Sequence, residues 1–204
     1  MTCLYLRRLL ICAFTILACA QLCAAADLTS AKAALKRKDY AAAFKELSPL
    51  SKQGNPDAQV LLGRMYLLGN GVLKDPDEAY KLFRAASAQG NADAEFFVGA
   101  RSVLRHEDIP TGLKYLRASA EQGNKDAQLL LGKAYLDGNE GLPRDPVKAD
   151  MWLRLAAKDN LPFYELQLES AEQEMNAGQI AKGKALAAAW RPKHGLKPGD
   201  MAAN

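Results

Sequence analysis

The two histidines are the side chains of this sequence best suited to acid–base chemistry near neutral pH. His106 and His194 are the only imidazoles, and an imidazole can serve as a general base or as a metal ligand. Neither has a second histidine, a cysteine or a serine motif at catalytic or ligand spacing. We interpret both as solvated loop histidines, and we predict neither a metal nor a cofactor.

A glycine-containing loop and three aspartates are the remaining candidates for chemistry. Residues 69–74, GNGVLK, contain the glycines and the lysine of a phosphate loop, but the strand that precedes such loops is absent from the pattern. Asp75, Asp108 and Asp145 each stand before an expected helix, where an aspartate caps the free N–H groups. The sequence therefore predicts no catalytic residue and no enzyme. A cell-wall enzyme with carboxylates distant in sequence is kept as an alternative.

Residues 1–26 have the pattern of a secretory signal peptide. An arginine pair precedes an apolar run over residues 9–20, and three alanines precede Asp27. The run is shorter than the roughly 20 residues of a membrane-spanning helix. All the cysteines lie in this segment: Cys3, Cys12, Cys19 and Cys23. A chain cleaved after Ala26 would therefore have no thiol and no disulfide.

Two alternatives to simple cleavage remain open. Residues 16–19, ILAC, resemble a lipoprotein cleavage box, in which Cys19 would carry the lipid. An uncleaved leader would instead anchor the chain in the membrane. We predict a periplasmic or secreted protein, which contacts a membrane only under one of these alternatives.

The charge balance does not favour nucleic acid as a partner. The 204 residues include 27 basic and 23 acidic side chains, and loss of Arg7 and Arg8 with the leader leaves 25 against 23. Nucleic-acid-binding domains are usually far more basic. With 49% hydrophobic residues, the chain is long enough to bury a soluble core.

The sequence contains an internal repeat. Residues 58–91 recur at residues 127–160, with a shortened copy at residues 94–124. A glycine in the middle of each copy, at Gly63, Gly99 and Gly132, shows spacings of 36 and 33 residues. A period of this length is typical of solenoid repeats.

Each copy is expected to form two antiparallel helices, A and B. In the first copy Ala58, Leu62 and Tyr66 lie four residues apart on one face of helix A, and an Asp-Pro start signal opens helix B. The middle copy lacks three residues of the connection. A mid-helix glycine costs about 1 kcal/mol relative to alanine. We therefore expect a close approach of two helices at that glycine.

The pattern A-x-x-x-L-G-x-x-Y-x-x-G-x-G-V-x-K-D in these copies resembles the Sel-one-like (Sel1) repeat family, relatives of tetratricopeptide repeats. The match is partial in the middle copy, where Ser102 replaces the tyrosine and Gly112 an alanine. The resemblance implies an all-α fold, a right-handed α-solenoid of antiparallel helix pairs, and a role as adaptor or scaffold. Some secreted members have disulfides between their helices, which this chain cannot form after residue 23.

The repeats are flanked by segments that we interpret as the end caps of the stack. The predicted layout is a capping helix pair at residues 27–54, repeats at 55–90, 91–123 and 124–160, capping helices at 161–190, and a flexible tail at 191–204.

A second face of helix A is the predicted partner-binding groove. In solenoids the inner helices line a concave surface that can hold an extended chain or a helix. The groove positions are Asp57, Val60, Arg64, Leu67, Asp93, Phe96, Ala100, Val103, Asp126, Leu129, Lys133 and Leu136. Arg64 and Lys133 are expected to pair with carboxylates of the partner. Alternatively, Val60, Phe96 and Leu129 simply pack between neighbouring A helices.

The predicted function is a scaffold that binds another protein or peptide through helix A. It would act as an adaptor or regulator of a process in the cell envelope. The alternative is a lipid-anchored structural component of a secretion or polysaccharide-export assembly.

Overall fold

A computed structural model of the protein describes residues 28–138 and 141–190. The predicted signal peptide, Cys19, His194 and the predicted tail lie outside the described residues. Within those two ranges all regular elements are helices and no strand occurs, which confirms the predicted all-α class. No helix in the same ranges has the length and apolar character needed to cross a membrane.

The helices are short, and most of them contain 11 to 13 residues. They are α1 (residues 28–36), α2 (Tyr40–Lys52), α3 (Pro56–Leu68), α4 (Pro76–Ser87), α5 (Ala92–Leu104), α6 (Ile109–Glu121), α7 (Lys125–Asp137), α8 (Pro146–Ala156), α9 (Pro162–Glu172) and α10 (Ala177–Ala189). A 3-10 turn, Ala157–Asp159, follows α8.

The chain divides into two compact units. Their boundary falls between Ala79 and Tyr80, inside α4. The first unit therefore contains described residues 28–79. The second contains described residues 80–138 and 141–190.

Short polar side chains begin the repeat helices. Before α3, α5 and α7, an asparagine Oδ1 accepts a hydrogen bond at 2.9–3.0 Å from the backbone N–H three residues later: Asn55, Asn91 and Asn124. Before α4, α6 and α8, an aspartate accepts the equivalent bond at 2.9–3.1 Å: Asp75, Asp108 and Asp145. These bonds satisfy N–H groups that a helix start leaves without an intrahelical partner. The prediction that the three aspartates are N-caps is confirmed.

The second unit is held together by close helix crossings at glycine. A Cβ added to Gly99 of α5 would lie 2.8 Å from the carbonyl oxygen of Gly112 in α6. A Cβ on Gly112 would in turn lie 2.8 Å from Cγ2 of Val103. On α7, a Cβ on Gly132 would lie 2.8 Å from Cγ of Leu153. The predicted close approach is confirmed at Gly99 and Gly132, and the unusual Gly112 is the second half of the first crossing.

Consecutive helices of the second unit pack in order, α5 on α6, α6 on α7 and α7 on α8. Leu116, Leu131 and Leu153 are fully buried between them, and Tyr135 and Trp152 are also buried. The apolar stripes of the repeat helices therefore form one continuous core in this unit.

The closing helix α10 packs on α8 in a way that differs from the prediction. The spacing of apolar residues in this segment predicts that Ile180, Ala181, Leu186 and Trp190 face the stack. Trp190 packs against the core, whereas Ala181 and Leu186 are exposed. The buried residue of α10 is Gly183, where an added Cβ would lie 2.6 Å from Cβ of Asp150 on α8. The prediction is wrong for Ala181 and Leu186, because the close contact of Gly183 with Asp150 turns a different face of α10 towards α8.

Candidate functional site

The residues of the predicted groove fall into three classes of exposure. The charged members are exposed: Asp57, Arg64, Asp93, Asp126 and Lys133. Four apolar members are half-buried: Leu67, Phe96, Val103 and Leu129. The remaining members are buried: Val60, Ala100 and Leu136. Only the charged members of the predicted groove are exposed to solvent.

The apolar members in the second unit take part in helix packing. Ala100 and Leu136 belong to the buried core, and Phe96, Val103 and Leu129 pack against it. Burial of an aliphatic or aromatic side chain is worth about 1.5–3 kcal/mol. These positions therefore stabilise the unit, which is the role that the packing alternative assigned to Phe96 and Leu129.

Two of the acidic members are held by hydrogen bonds within the second unit. Oδ1 of Asp93 accepts from Nδ2 of Asn124 at 2.7 Å. Oδ1 of Asp126 accepts from the hydroxyl of Tyr164 on α9 at 2.6 Å. Burial of the hydroxyl, together with this bond to Asp126, raises the pKa of Tyr164 to about 12. These acids therefore connect neighbouring elements.

Arg64 and Lys133 each line an open cavity, and they occupy the same position of the repeat. Each cation directly follows the mid-helix glycine. The cavity beside Arg64, named here the α3 cavity, has a volume of about 380 Å³ and is lined by Lys32, Leu35, Lys36, Tyr40, Leu61, Arg64, Met65, Leu68 and Asn70. The cavity beside Lys133, named the α7 cavity, measures about 390 Å³ and is lined by Val103, Leu104, His106, Ile109, Leu113, Leu116, Leu130, Lys133, Ala134, Asp137 and Leu142.

Equivalent residues of helix A form one wall of each cavity. The matching pairs are Leu61 and Leu130, Arg64 and Lys133, Met65 and Ala134, and Leu68 and Asp137. The preceding helix pair supplies the other wall: α1 and the start of α2 in one case, α5 and α6 in the other. Each cavity thus lies at the seam between two consecutive helix pairs.

The loop after α3 packs against Tyr40, which is one of the residues that line the α3 cavity. Gly69 ends α3 in the left-handed conformation, with φ 77°, which glycine adopts without strain. Two residues later Gly71, with φ 71°, packs against the backbone of Tyr40, and an added Cβ would lie 3.3 Å from its carbonyl carbon. This contact holds Tyr40 in the cavity wall.

Exposed leucines lie at both cavities. Leu68 is 62% exposed in the first and Leu104 is 69% exposed in the second. On α3 the open face beside Arg64 is formed by Leu61 and Leu68 rather than by the predicted Val60, which is buried. The face that is open to a partner is therefore rotated from the predicted groove by about one residue.

The structure also shows two buried carboxylates that the sequence analysis missed. Glu95 of α5 is fully buried, and burial raises its pKa to about 8 although a hydrogen bond from Gln122 opposes the shift. A signal for Glu95 existed, because the equivalent residues of the other copies are glutamines. Asp150 of α8 is also fully buried, and its Oδ2 accepts from Nε of Arg154 at 2.7 Å.

Both carboxylates are held by hydrogen bonds from neighbouring side chains. Arg154 pairs in addition with Glu172 of α9, so that one guanidinium joins two helices. Glu95 and Asp150 line neither of the two cavities. Within residues 28–138 and 141–190, no three His, Cys, Asp or Glu side chains come together as a metal site would require.

The comparison with family models identifies the repeat. The Sel1 repeat model matches residues 56–91, 93–124 and 125–161, about half of the chain. Among curated proteins, no sequence matches.

Two solved structures are similar to the chain. A Sel1 repeat protein from Oxalobacter formigenes has 26% sequence identity and a TM-score of 0.62, over 74% of this chain and 62% of that one. A protective antigen of uropathogenic Escherichia coli strains, with an SLR fold, has 22% identity and a TM-score of 0.53, over 80% of this chain and 44% of that one. The second likeness concerns the fold alone. The chain spans less than two thirds of the length of either protein.

The three matched repeats coincide with the capped helices α3 and α4, α5 and α6, and α7 and α8, and the second and third repeats contain the glycine crossings described above. Sel1 repeat proteins are generally scaffolds for interactions between proteins, with an all-α fold of the solenoid type. The resemblance seen in the sequence is confirmed, and the chain belongs to the Sel1 repeat family.

Proposed function

We propose that the protein is an exported scaffold that binds another protein at the seams between its helix pairs, through the α3 and α7 cavities. One observation carries the proposal. The cation at the same repeat position, Arg64 in one copy and Lys133 in another, lies in an open cavity beside an exposed leucine.

The composition of both cavities suits the docking of side chains from a partner. Each has an apolar floor and a charged or polar rim, which is the common arrangement of a protein interface. Leu68 and Leu104 are large apolar side chains that the free chain leaves in water. Covering them on binding would contribute about 25 cal/mol for each Å² of apolar surface removed from water.

The proposed location is the periplasm or the exterior, with a role as adaptor or regulator of an envelope process. Support comes from the signal-peptide pattern of residues 1–26. A second candidate is a lipid-anchored component of an envelope assembly, which the ILAC sequence ending at Cys19 favours. Mass spectrometry of the N-terminus separates the two, because an acylated Cys19 supports the anchor and a free Asp27 supports the exported scaffold.

Site-specific photo-crosslinking tests the scaffold function. The amino acid p-benzoylphenylalanine would replace Leu68 or Leu104 in the full chain, expressed in the source cells. Irradiation should join a discrete partner protein to at least one of the two positions. Leu73 is the matched control, since it is 89% exposed but lines neither cavity. Absence of a specific adduct at both Leu68 and Leu104 would contradict the proposed function.

A further inference from the structure

The α3 cavity is distinguished by the sign of its charge. Of its nine lining residues, three are cations and none is acidic. Lys32, Lys36 and Arg64 are all exposed, and within the described part of the chain none of them belongs to an ion pair. Among the described residues, the lining of this cavity therefore has a net positive charge.

These cations stand on two sides of an apolar floor. Lys32 and Lys36 are four residues apart on α1 and so lie on one face of that helix, while Arg64 comes from α3. Leu35, Leu61 and Met65 line the same cavity, and Met65 is almost fully buried. The arrangement fits an apolar group flanked by negative charges.

In the unbound chain, Lys32 and Lys36 also reduce the stability of α1. Like charges one helical turn apart repel each other and destabilise the helix. A ligand that places a carboxylate between them removes this repulsion, and a charge-assisted hydrogen bond to a lysine or arginine is stronger than a neutral one.

We propose that the α3 cavity binds an acidic segment of a partner protein, with an apolar side chain in the cavity and carboxylates paired with Lys32, Lys36 and Arg64. This inference rests on the proposed scaffold function and names the chemistry of the partner. An arginine also favours carboxylate, because its planar guanidinium can form two parallel hydrogen bonds.

A peptide suits this cavity better than nucleic acid or lipid does. Single-stranded nucleic acid is held on a series of stacking aromatic side chains along a groove, whereas the lining of this cavity contains one aromatic residue, Tyr40. Membrane surfaces are bound by an exposed amphipathic helix with a broad apolar face, whereas the apolar residues here line a local cavity.

The α7 cavity provides an internal comparison. It has the same place in the repeat, but Asp137 stands where the α3 cavity has Leu68. No lysine comes from its other wall, which contains Val103 and Leu104. An acidic peptide should therefore prefer the α3 cavity.

Fluorescence anisotropy with the full chain tests this preference. The probe is a fluorescein-labelled peptide of alternating aspartate and leucine. Two control peptides replace aspartate by asparagine, or leucine by serine. We expect the probe to bind at least tenfold more tightly than either control, and its affinity to fall as salt is raised, because salt screens exposed charges. Vesicles of phosphatidylglycerol and an oligonucleotide serve as competitors.

Charge-removing variants assign the binding to the cavity. The triple variant Lys32→Gln, Lys36→Gln, Arg64→Gln should bind the probe at least tenfold more weakly while its circular dichroism is unchanged. The matched control Lys45→Gln, Lys52→Gln, Lys114→Gln removes three exposed cations that line neither cavity, and it should bind as the unchanged protein does. Equal affinity in the triple cavity variant, equal binding of the asparagine peptide, no peptide binding, or stronger binding to vesicles or oligonucleotide would each overturn the proposal.

The outcome is separable from that of the scaffold function. If the photo-adducts at Leu68 or Leu104 persist while the peptide shows no charge selectivity, the acidic partner segment is wrong and the scaffold function stands. If the adducts are absent, the scaffold function itself is overturned.

Discussion

Nε2 of Gln122 donates a hydrogen bond to Oε2 of Glu95 at 2.7 Å, which joins the end of α6 to the first turn of α5. Oε1 of Glu95 has no hydrogen-bond partner among the described residues. In the other copies, the equivalent Gln59 and Gln128 donate through Nε2 to the carbonyl oxygen eight residues earlier. For Glu95, the carbonyl eight residues earlier is that of Ser87. Glu95 could donate a hydrogen bond to this carbonyl only in its neutral, protonated form.

Replacing Glu95 by glutamine should remove a pH dependence of stability. Burial raises the pKa of Glu95 from its ordinary 4.5 to about 8 in the folded protein. The folded chain therefore holds this proton more tightly than the unfolded chain. Stability consequently falls as pH rises from about 4.5 to about 8, by at most about 1.4 kcal/mol per pH unit.

Urea unfolding at several pH values across that window measures this effect. Glu95→Gln should have a nearly flat profile there and be more stable than the unchanged chain at about pH 8. The exposed Glu169→Gln is the matched control and should keep the original profile. A Glu95→Gln variant that retains the full pH dependence would show that another group causes it.

Removing the guanidinium of Arg154 should strongly destabilise the second unit. Asp150 is fully buried, and the bond from Arg154 is the one that neutralises it. Loss of one partner of a buried ion pair costs about 3–5 kcal/mol, because the other charge is left uncompensated. Arg154→Met should therefore lower the free energy of unfolding by about that amount.

Arg84→Met is the control for Arg154, because Arg84 has the same repeat position but is exposed. Its effect should stay within about 0.5 kcal/mol. Similar losses in the two variants, measured by chemical denaturation, would contradict a special role of the Asp150 pair.

Gly99→Ala should destabilise the protein although alanine favours helix by about 1 kcal/mol. The added Cβ would meet the carbonyl oxygen of Gly112 at 2.8 Å and the backbone nitrogen of Leu116 at 2.9 Å. Backbone atoms can yield only by separating the helices, and overpacking of this kind costs about 1–3 kcal/mol.

Gly178→Ala is the helical control for Gly99, since its added Cβ would meet only the exposed side-chain oxygen of Asn176, at 3.3 Å. It should leave the melting temperature unchanged or raise it. A Gly99→Ala variant that melts at or above the temperature of the unchanged protein would exclude a steric need for glycine there.

The double variant Phe96→Asp, Leu129→Asp should unfold the second unit in preference to blocking a partner. Both side chains pack against the buried core, and burial of a charge without a counter-ion is strongly unfavourable. We expect the double variant to lose its helical circular dichroism already below the melting temperature of the unchanged protein. Leu104→Asp, at a position 69% exposed, should keep its helicity. Intact helicity in the double variant would return these residues to the partner surface.

Local signals made much of the fold predictable. Asp75 and Asp145 predict helix starts, because a capping aspartate accepts a hydrogen bond from a backbone N–H only three residues later in the sequence. Gly132 predicts a close helix crossing, because a glycine in the middle of a helix destabilises that helix unless tight packing compensates for it. Because the sequence is repeated, the same capping and glycine patterns occur in several copies, and each copy supports the interpretation of the others.

Contacts outside the repeat were not predictable in this way. Gly183 meets Asp150 only because α10 returns to α8, and no periodic pattern specifies that return. The open face of α3 also depended on its rotation in the packed structure. Arg64 and Lys133 were predicted from spacing, whereas Lys32 and Lys36 come from a different helix and join Arg64 only through tertiary packing.

The shared wall of the two cavities has a consequence for how specificity can diverge within one chain. Helix A supplies a leucine and a cation to each seam, Leu61 with Arg64 or Leu130 with Lys133, while the preceding pair supplies either lysines, as with Lys32, or leucines, as with Leu104. Duplication followed by a few substitutions on the variable side can therefore create a new ligand preference without disturbing the glycine crossings on which folding depends. Under the proposed function, the exposed residues that would contact a partner, such as Lys32 and Leu104, are separate from the crossing glycines Gly99 and Gly132, so substitutions can change the first without changing the second.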